Sequence, residues 1–293
     1  MKHCLLGKSE LSVSEISFGC MSLGKDHSQN EKILRQAFES GINFFDTADL
    51  YDQGWNEESV GKALAPIRDQ VIIATKGGNE WREDGSGWDW NPTKAYILKA
   101  VEQSLKRLQT ETIDLYQLHG GTLDDPIDET IEAFDLLKQQ GKIREYGISS
   151  IRPNVIREWI KKSNIVSVMM QYSLLDRRPE EECLDLLHQN GISVITRGSL
   201  AKAMLINKPA KEYIGYSEAE IRELQQTLQN TPNPISSSLQ FVLQHPAVAS
   251  TVVGIRTQEQ LASIIDSIGI GISSETLNTL GKLLEPNVYS NHR

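Results

Sequence analysis

The chain has 293 residues, and 30 Lys and Arg against 39 Asp and Glu leave a formal net charge of -9, with 39% hydrophobic and only 6% aromatic residues. An acidic balance without a Lys/Arg cluster lacks the electrostatic footprint of phosphate-backbone binding, so nucleic acid is not an expected partner. No apolar stretch approaches the roughly 20 residues needed to cross a bilayer, and the opening segment MKHCLLGKSELSVSE has no apolar h-region of the signal-peptide kind, so no membrane partner and a cytoplasmic setting are expected.

The first segment, Lys2 to Ser14, places a Gly7-Lys8-Ser9 turn between two short apolar stretches and reads as a small hairpin. Beyond it, short runs rich in Ile, Val, Phe and Tyr alternate with amphipathic stretches, the pattern of repeated βα units around a parallel sheet. The expected strands are Ile16 to Met21, Ile42 to Asp46, Val71 to Lys76, Ile113 to His119, Ile143 to Ser149, Val166 to Gln171, Ile192 to Arg197 and Ser250 to Gly254. Between the first two, Asn30 to Ser40 carries Ile33, Leu34, Ala37 and Phe38 at helical spacing and stops at Gly41, a residue suited to the left-handed turn after a helix. Gln140-Gly141 and Asn190-Gly191 repeat that stop, whereas Asn91-Pro92-Thr93 and Asp125-Pro126 mark turns and helix starts. From Leu200 to Pro234 the rhythm breaks, with Pro209, Gly215, Pro232 and Pro234, into an enlarged loop and helix after the seventh strand.

No Gly/Pro/Ser-rich boundary divides these units. They predict one domain over residues 1–293, an α/β fold with a single (β/α)8 TIM barrel, the N-terminal hairpin capping its floor. Cys4, Cys20 and Cys183 have no C-x-x-C spacing, and none of the six histidines forms an H-x-H or H-E-x-x-H pair, so neither a disulfide framework nor a metal site is expected.

In such a barrel, catalytic groups sit at the C-terminal ends of the strands, so the polar residues that close the apolar runs matter most. Asp46 ends the second strand, with Tyr51 following in Asp46-Thr47-Ala48-Asp49-Leu50-Tyr51; Lys76 ends the third and His119 the fourth. A phenol titrates near about pH 10 and donates its proton at neutral pH only if its anion is stabilised, which a nearby ammonium does. A carboxylate would hold that ammonium in place, and an imidazole can hydrogen-bond a carbonyl oxygen beside the phenol. The set suits carbonyl reduction. Singly, each residue has a plainer role, as a cap, a packing ring, a solvated strand end or a satisfied imidazole; their order along the chain favours function.

The stretch Gly41-Ile42-Asn43-Phe44-Phe45-Asp46-Thr47-Ala48 with Tyr51, Lys76 and His119 resembles the Asp/Tyr/Lys/His tetrad of the aldo-keto reductase family, and the resemblance runs from the hairpin to about Ser267. It implies a barrel that binds NADPH in an extended form without a Rossmann domain and passes hydride to an aldehyde or ketone. By the same resemblance, Ser149, Ser150 and Gln171 anchor the nicotinamide carboxamide, although Ser150 stands where the family usually has Asn. Arg197-Gly198-Ser199-Leu200 falls where many members carry an aromatic residue against the nicotinamide, a role Arg197 can fill with its planar guanidinium. Gly254, Arg256 and Gln260 match a Gly-x-Arg-x-x-x-Gln segment that grips the 2′-phosphate and adenosine of NADP, beside a helix beginning near Thr257. Ser263 and Ile264 occupy positions where acidic or Asn partners of the adenine are common.

Three of the five tryptophans, Trp81, Trp88 and Trp90, fall in an acidic, Gly-containing loop after the third strand. They form either an aromatic wall over a substrate mouth or a loop packed on the rim or at an oligomer contact. The expected partner is a small-molecule carbonyl substrate, and the expected assembly a monomer or small homo-oligomer. Two rival readings remain: an NADPH-binding accessory subunit with little turnover, and an unrelated barrel enzyme such as a phosphosugar isomerase.

Overall fold

The computed structural model describes residues 1–293. Strands β1 (His3–Leu5) and β2 (Ser12–Ser14) pair antiparallel as the N-terminal hairpin, and Gly7, at φ +58°, makes its turn. Eight parallel strands then close a barrel: β3 (Ile16–Gly19), β4 (Phe44–Asp46), β5 (Ile72–Gly77), β8 (Ile113–Leu118), β9 (Ile143–Ser149), β10 (Ser167–Gln171), β11 (Ser193–Arg197) and β12 (Val248–Gly254), which returns to β3. Between β5 and β8, β6 (Asn79–Trp81) and β7 (Trp88–Trp90) form a separate antiparallel hairpin. The tryptophan segment, read as a loop, is therefore paired, with Trp81 opposite Trp88 and the Asp84-Gly85-Ser86-Gly87 stretch turning between them.

The helices follow the expected rhythm. They are α1 (His27–Glu39), α2 (Trp55–Leu64), α3 (Lys94–Leu108), α4 (Ile127–Gln139), α5 (Pro153–Lys162), α6 (Cys183–Gln189), α7 (Glu218–Gln229), α8 (Pro234–Leu243), α9 (Gln258–Ile268) and α10 (Ser274–Lys282). Helix α1 starts three residues earlier than its apolar spacing suggests, because the Asp26 side chain accepts from the Ser28 and Gln29 N–H groups and caps it. Thr93 caps α3 in the same way, and Gly41, Gly141 and Gly191 all adopt the left-handed conformation expected after helices. Helix α7 lies within the enlarged segment after β11. No helix is long and apolar enough to cross a membrane.

Side chains of a strand alternate between two faces, so each barrel strand sends one set outward to the helices and the other into the barrel. The outward set forms the larger core, with Phe18, Phe45, Tyr116, Tyr146 and Met170 packed under helix residues such as Phe134 and Trp159. The inward set forms a smaller one, built from Phe44, Ile72, Ala74, Leu115, Met169, Ile195 and Ala249. Leu6, Leu11 and Val13 of the hairpin complete this inner core, so the hairpin plugs the floor as expected. Each of these fully buried side chains stabilises the fold by about 2 kcal/mol. With the floor filled, the next inward positions toward the C-terminal ends are Asp46 after Phe44, Lys76 after Ala74, Gln117 after Leu115, Gln171 after Met169 and Arg197 after Ile195.

One helix contact is unusually close. A Cβ on Gly61 of α2 would lie 2.5 Å from backbone atoms of Leu108 at the end of α3, so only glycine permits this approach. Gly61→Ala is therefore expected to lose about 2 kcal/mol despite the better helix propensity of Ala, read as a lower urea midpoint at constant m. An unchanged midpoint would show that the two helices separate without cost.

Candidate active site

At the C-terminal mouth, period-2 alternation brings Asp46 and Lys76 onto adjacent inward positions of neighbouring strands, with the β4–β5 register pairing Asp46 with Ala74. Lys76 is 1% exposed. An ammonium this deep requires a partner, and its Nζ donates to Asp46 Oδ2 at 2.7 Å and to the Thr47 carbonyl at 2.7 Å. The chain returns the bond: the Asp49 N–H donates to the Lys76 carbonyl at 3.2 Å. Thr47 Oγ1 donates to Asn56 Oδ1 at 2.6 Å and Asn56 Nδ2 to the Cys20 carbonyl at 2.8 Å, which ties the loop to α2 and to the end of β3.

Tyr51 is delivered by this loop. The next residues, Asp52 and Gln53, hold φ of 49° and 56°, and Gly54 at 88° leads into α2, so the chain is strained where it leaves Tyr51. Lys76 Nζ lies 5.3 Å from the Tyr51 ring centre, and the Tyr51 and His119 rings meet edge-on at 5.9 Å. Asp46, Tyr51, Lys76 and His119 thus converge, as their order in the chain implied.

Burial pulls the Lys76 ammonium down, but Asp46 and Tyr51 more than offset it and hold the group charged above its usual range. Tyr51 moves up rather than down, because burial outweighs the opposing pull of Lys76. The phenol therefore keeps its proton at neutral pH, with Lys76 the charge that most favours its anion. Burial, reinforced by Lys76 and Arg197, lowers His119 to about 3. Its imidazole is therefore neutral at neutral pH. His119 Nδ1 is buried without a partner.

Around the mouth, the register places Gln171 of β10 directly beside Arg197 of β11, whose Nη1 donates to Gln171 Oε1 at 3.2 Å. Gln171 Nε2 donates to the Tyr213 hydroxyl at 2.9 Å. Ser149 ends β9, and Ser150 Oγ accepts from the Arg152 N–H at 3.2 Å. Gly198, at φ +70°, turns the chain over Gln171, and Leu200 packs against the outer core. The Ser199 side chain is spent inside the barrel wall, bonded to Thr196 and Thr251 at 3.0 and 2.7 Å. Gly254 ends β12, and Thr257 caps α9, while Gln260 Oε1 accepts from the Arg256 N–H at 2.8 Å. Arg256 is exposed and makes no ion pair. Ser263 is exposed, but Ile264 is buried in the outer core, so Ile264 cannot face an adenine; the α9 register turns it inward.

These groups fit a nicotinamide dinucleotide: an unpartnered imidazole nitrogen at the mouth, amide and hydroxyl groups beside it, and an unpaired guanidinium at a helix N-terminus. Three contributors escaped the sequence reading. Thr47 acts through its carbonyl, which has no sequence signal. Tyr213 opens a short Tyr213–Tyr216 bridge around Ile214-Gly215, a turn dipeptide that could have revealed it. Trp55 joins Met21, Leu50, Trp81 and Trp88 around a cleft of about 860 Å³ that includes Tyr51. Two of the three clustered tryptophans therefore line this cleft, whereas Trp90 packs on the rim, its Nε1 donating to Asp125 at 2.9 Å.

A closed parallel barrel carrying a phenol, a buried ammonium–carboxylate pair and a neutral imidazole at its C-terminal mouth has its polar groups where barrel enzymes carry their active sites. The chain belongs to the Aldo/keto reductase family, whose sequence profile matches residues 15–285. It is thus an oxidoreductase acting on small carbonyl compounds with a nicotinamide cofactor. It is 49% identical to the uncharacterized oxidoreductase YqkF of Bacillus subtilis, over all of both chains. It also superposes on the holo form of aldo-keto reductase AKR11C1 from Bacillus halodurans with a TM-score of 0.97 at 49% identity, covering 100% of this chain and 99% of that one. Against the apo form of the same enzyme the TM-score is 0.89 at 47% identity, with the same coverage.

The neutral state of His119 has a direct readout. Its imidazole resonances should show no protonation from neutral pH down to about 4. A His119 titration in the ordinary range would overturn the neutral assignment.

Proposed function

We propose that this protein reduces an aldehyde or ketone to an alcohol with NADPH, with Tyr51 as the proton donor. The observation that carries this reading is the convergence of a protonated phenol, a charged ammonium held by a buried carboxylate, and a neutral imidazole at one end of the barrel, where Tyr51 also lines an open cleft. The nicotinamide, when bound, supplies the hydride that the carbonyl carbon accepts. His119 orients the substrate by hydrogen-bonding the carbonyl oxygen, and Tyr51 delivers its hydroxyl proton to that oxygen as negative charge develops there. Lys76, fixed by Asp46 and the Thr47 carbonyl, stabilises the phenolate left behind.

Ser149, Ser150 and Gln171 would hold the carboxamide, and Arg197, anchored by Gln171, would lie against the nicotinamide ring. Gly198, Ser199 and Leu200 form the backbone passing over the same end, with the Ser199 side chain bracing the turn from inside. Gly254, Arg256 and Gln260 would hold the adenosine 2′-phosphate: the guanidinium offers a charge-assisted fork, and Gln260 keeps the Arg256 backbone against the start of α9. The closer match of the fold to the holo form than to the apo form of AKR11C1 supports a mouth already shaped for cofactor. A complete converging set of four argues against the accessory-subunit alternative.

Tyr51→Phe should bind NADPH nearly as the parent does while kcat falls by about 10²–10⁴-fold, measured by protein fluorescence and by absorbance decay with an aromatic aldehyde. Parental turnover in this variant would remove Tyr51 as the acid. Arg256→Ala should weaken NADPH by about 10- to 100-fold, the value of a charge-assisted bond, and leave NADH little changed. Equal losses for the two cofactors would assign the 2′-phosphate to another residue.

A further inference from the structure

Beneath the Tyr51 loop lies a second group of ionisable side chains that the proposed reaction does not use. Asp49, buried and two residues before Tyr51, turns its side chain away from the mouth into the layer between β5, α2 and α3. Glu57 of α2 is fully buried there, accepting from Arg107 Nε at 2.7 Å, Thr75 Oγ1 at 2.5 Å and Ser104 Oγ at 3.3 Å. Three carboxyl groups, Asp46, Asp49 and Glu57, are thus buried together with two cations. Lys76 is committed to Asp46 and Arg107 to Glu57. Asp49 has no cation, and its Oδ1 is buried without a partner, as is the Tyr116 hydroxyl of β8.

The phenol and the carboxyl approach the same point. A Cβ on Gly77 would lie 2.0 Å from the Tyr116 hydroxyl and 3.5 Å from Asp49 Oδ2, so the bare flank of Gly77 is what lets both groups in. The remaining phenol nearby, Tyr96 of α3, donates to the Asn79 carbonyl at 2.8 Å and also faces the Asp49 carboxyl; burial and then this carboxyl push the phenol up. An ionised Asp49 would face the Glu57 carboxylate with no counter-charge of its own, whereas a neutral carboxyl carries no charge to repel Glu57 or to be desolvated.

We propose that Asp49 is a positioning residue held as a neutral carboxylic acid, that its burial beside Gly77, with its N–H on the Lys76 carbonyl, fixes the loop bearing Tyr51, and that its ionisation in alkaline solution loosens this loop and silences the enzyme. The link to the site is short: the Asp49 N–H bonds the Lys76 carbonyl, so moving Asp49 disturbs Lys76 and Tyr51 together. Burial and then the Glu57 carboxylate push Asp49 up to about 8, against the opposing pull of Arg107, the Leu50 N–H and Lys76. Tyr51 and Lys76 both titrate above their usual ranges, so a loss of activity near pH 8 is separable from theirs. The unfolded chain releases this proton near 3.8 and the folded chain near 8. The stability Asp49 contributes is therefore full below about 3.8, declines as pH rises, and is gone above about 8.

The test is kcat/KM at saturating NADPH across pH, and it rests on the reductase reading above. The parent should lose about tenfold per pH unit above about pH 8. Asp49→Asn, which keeps the shape and polarity of the side chain without a charge, should lose that limb and melt higher than the parent by a margin that grows up to about pH 8. Asp49→Ala should be slow at every pH. An Asn variant with the parental limb, or one as slow as Ala throughout, overturns the proposal. Infrared difference spectra of the parent protein need no variant to fold and no turnover. They should show a protonated-carboxyl band at neutral pH that disappears above about 8, and its absence at neutral pH overturns the proposal independently. A chain that shows this band yet reduces no carbonyl at any pH would sink the reductase reading instead.

Discussion

A closed eight-stranded barrel leaves an interior that its own strands must fill, and everything at the mouth follows from how this chain fills it. Leu6, Leu11 and Val13 enter from below, and Phe44, Ile72, Ala74, Leu115 and Met169 occupy the middle. The apolar supply ends one layer short of the top. Each strand then presents its next inward residue to whatever occupies the mouth, and those residues are Asp46, Lys76, Gln117, Gln171 and Arg197. The polar layer is thus built on a rigid apolar column, which holds side-chain positions more firmly than loops would.

Burial then sets the electrostatics. A charged lysine at 1% exposure is tolerable only because Asp46 and a backbone carbonyl meet it, and that arrangement raises the affinity of the ammonium for its proton. The same low-dielectric surroundings keep the phenol protonated and the imidazole neutral. Three groups that would titrate across a wide pH range in water are thereby each locked in one protonation state at neutral pH. The nearby Asp49–Glu57–Arg107 group obeys the same logic with one cation too few.

Much of this was legible in the sequence, for a physical reason. The βα rhythm and the glycine stops located all eight barrel strands, and polar residues at the ends of apolar runs marked Asp46, Lys76 and His119 because strand ends are where a barrel exposes its interior. What escaped depends on direction and on three-dimensional neighbours. Trp81 and Trp88 lack the clean alternation of a long strand, so their hairpin read as a loop. Ser199 and Ile264 sit at positions whose spacing suits ligand contact, yet the local turn of the chain points one into the barrel wall and the other into the core. The upward shift of Tyr51 could not be read either, since burial and an adjacent ammonium oppose each other and only the geometry decides the balance.

The floor plug carries a consequence for how the chain assembles. Cys4 Sγ donates to the Ala249 carbonyl at 3.0 Å, and the apolar side chains of the hairpin complete a core that also needs Ala249 of the last strand. The partners of the hairpin in this inner core therefore span Phe44 to Ala249, and its packing is complete only once the last barrel strand has been made. During synthesis Leu6, Leu11 and Val13 wait without a place to be buried, and closure of the barrel is a late event of high contact order.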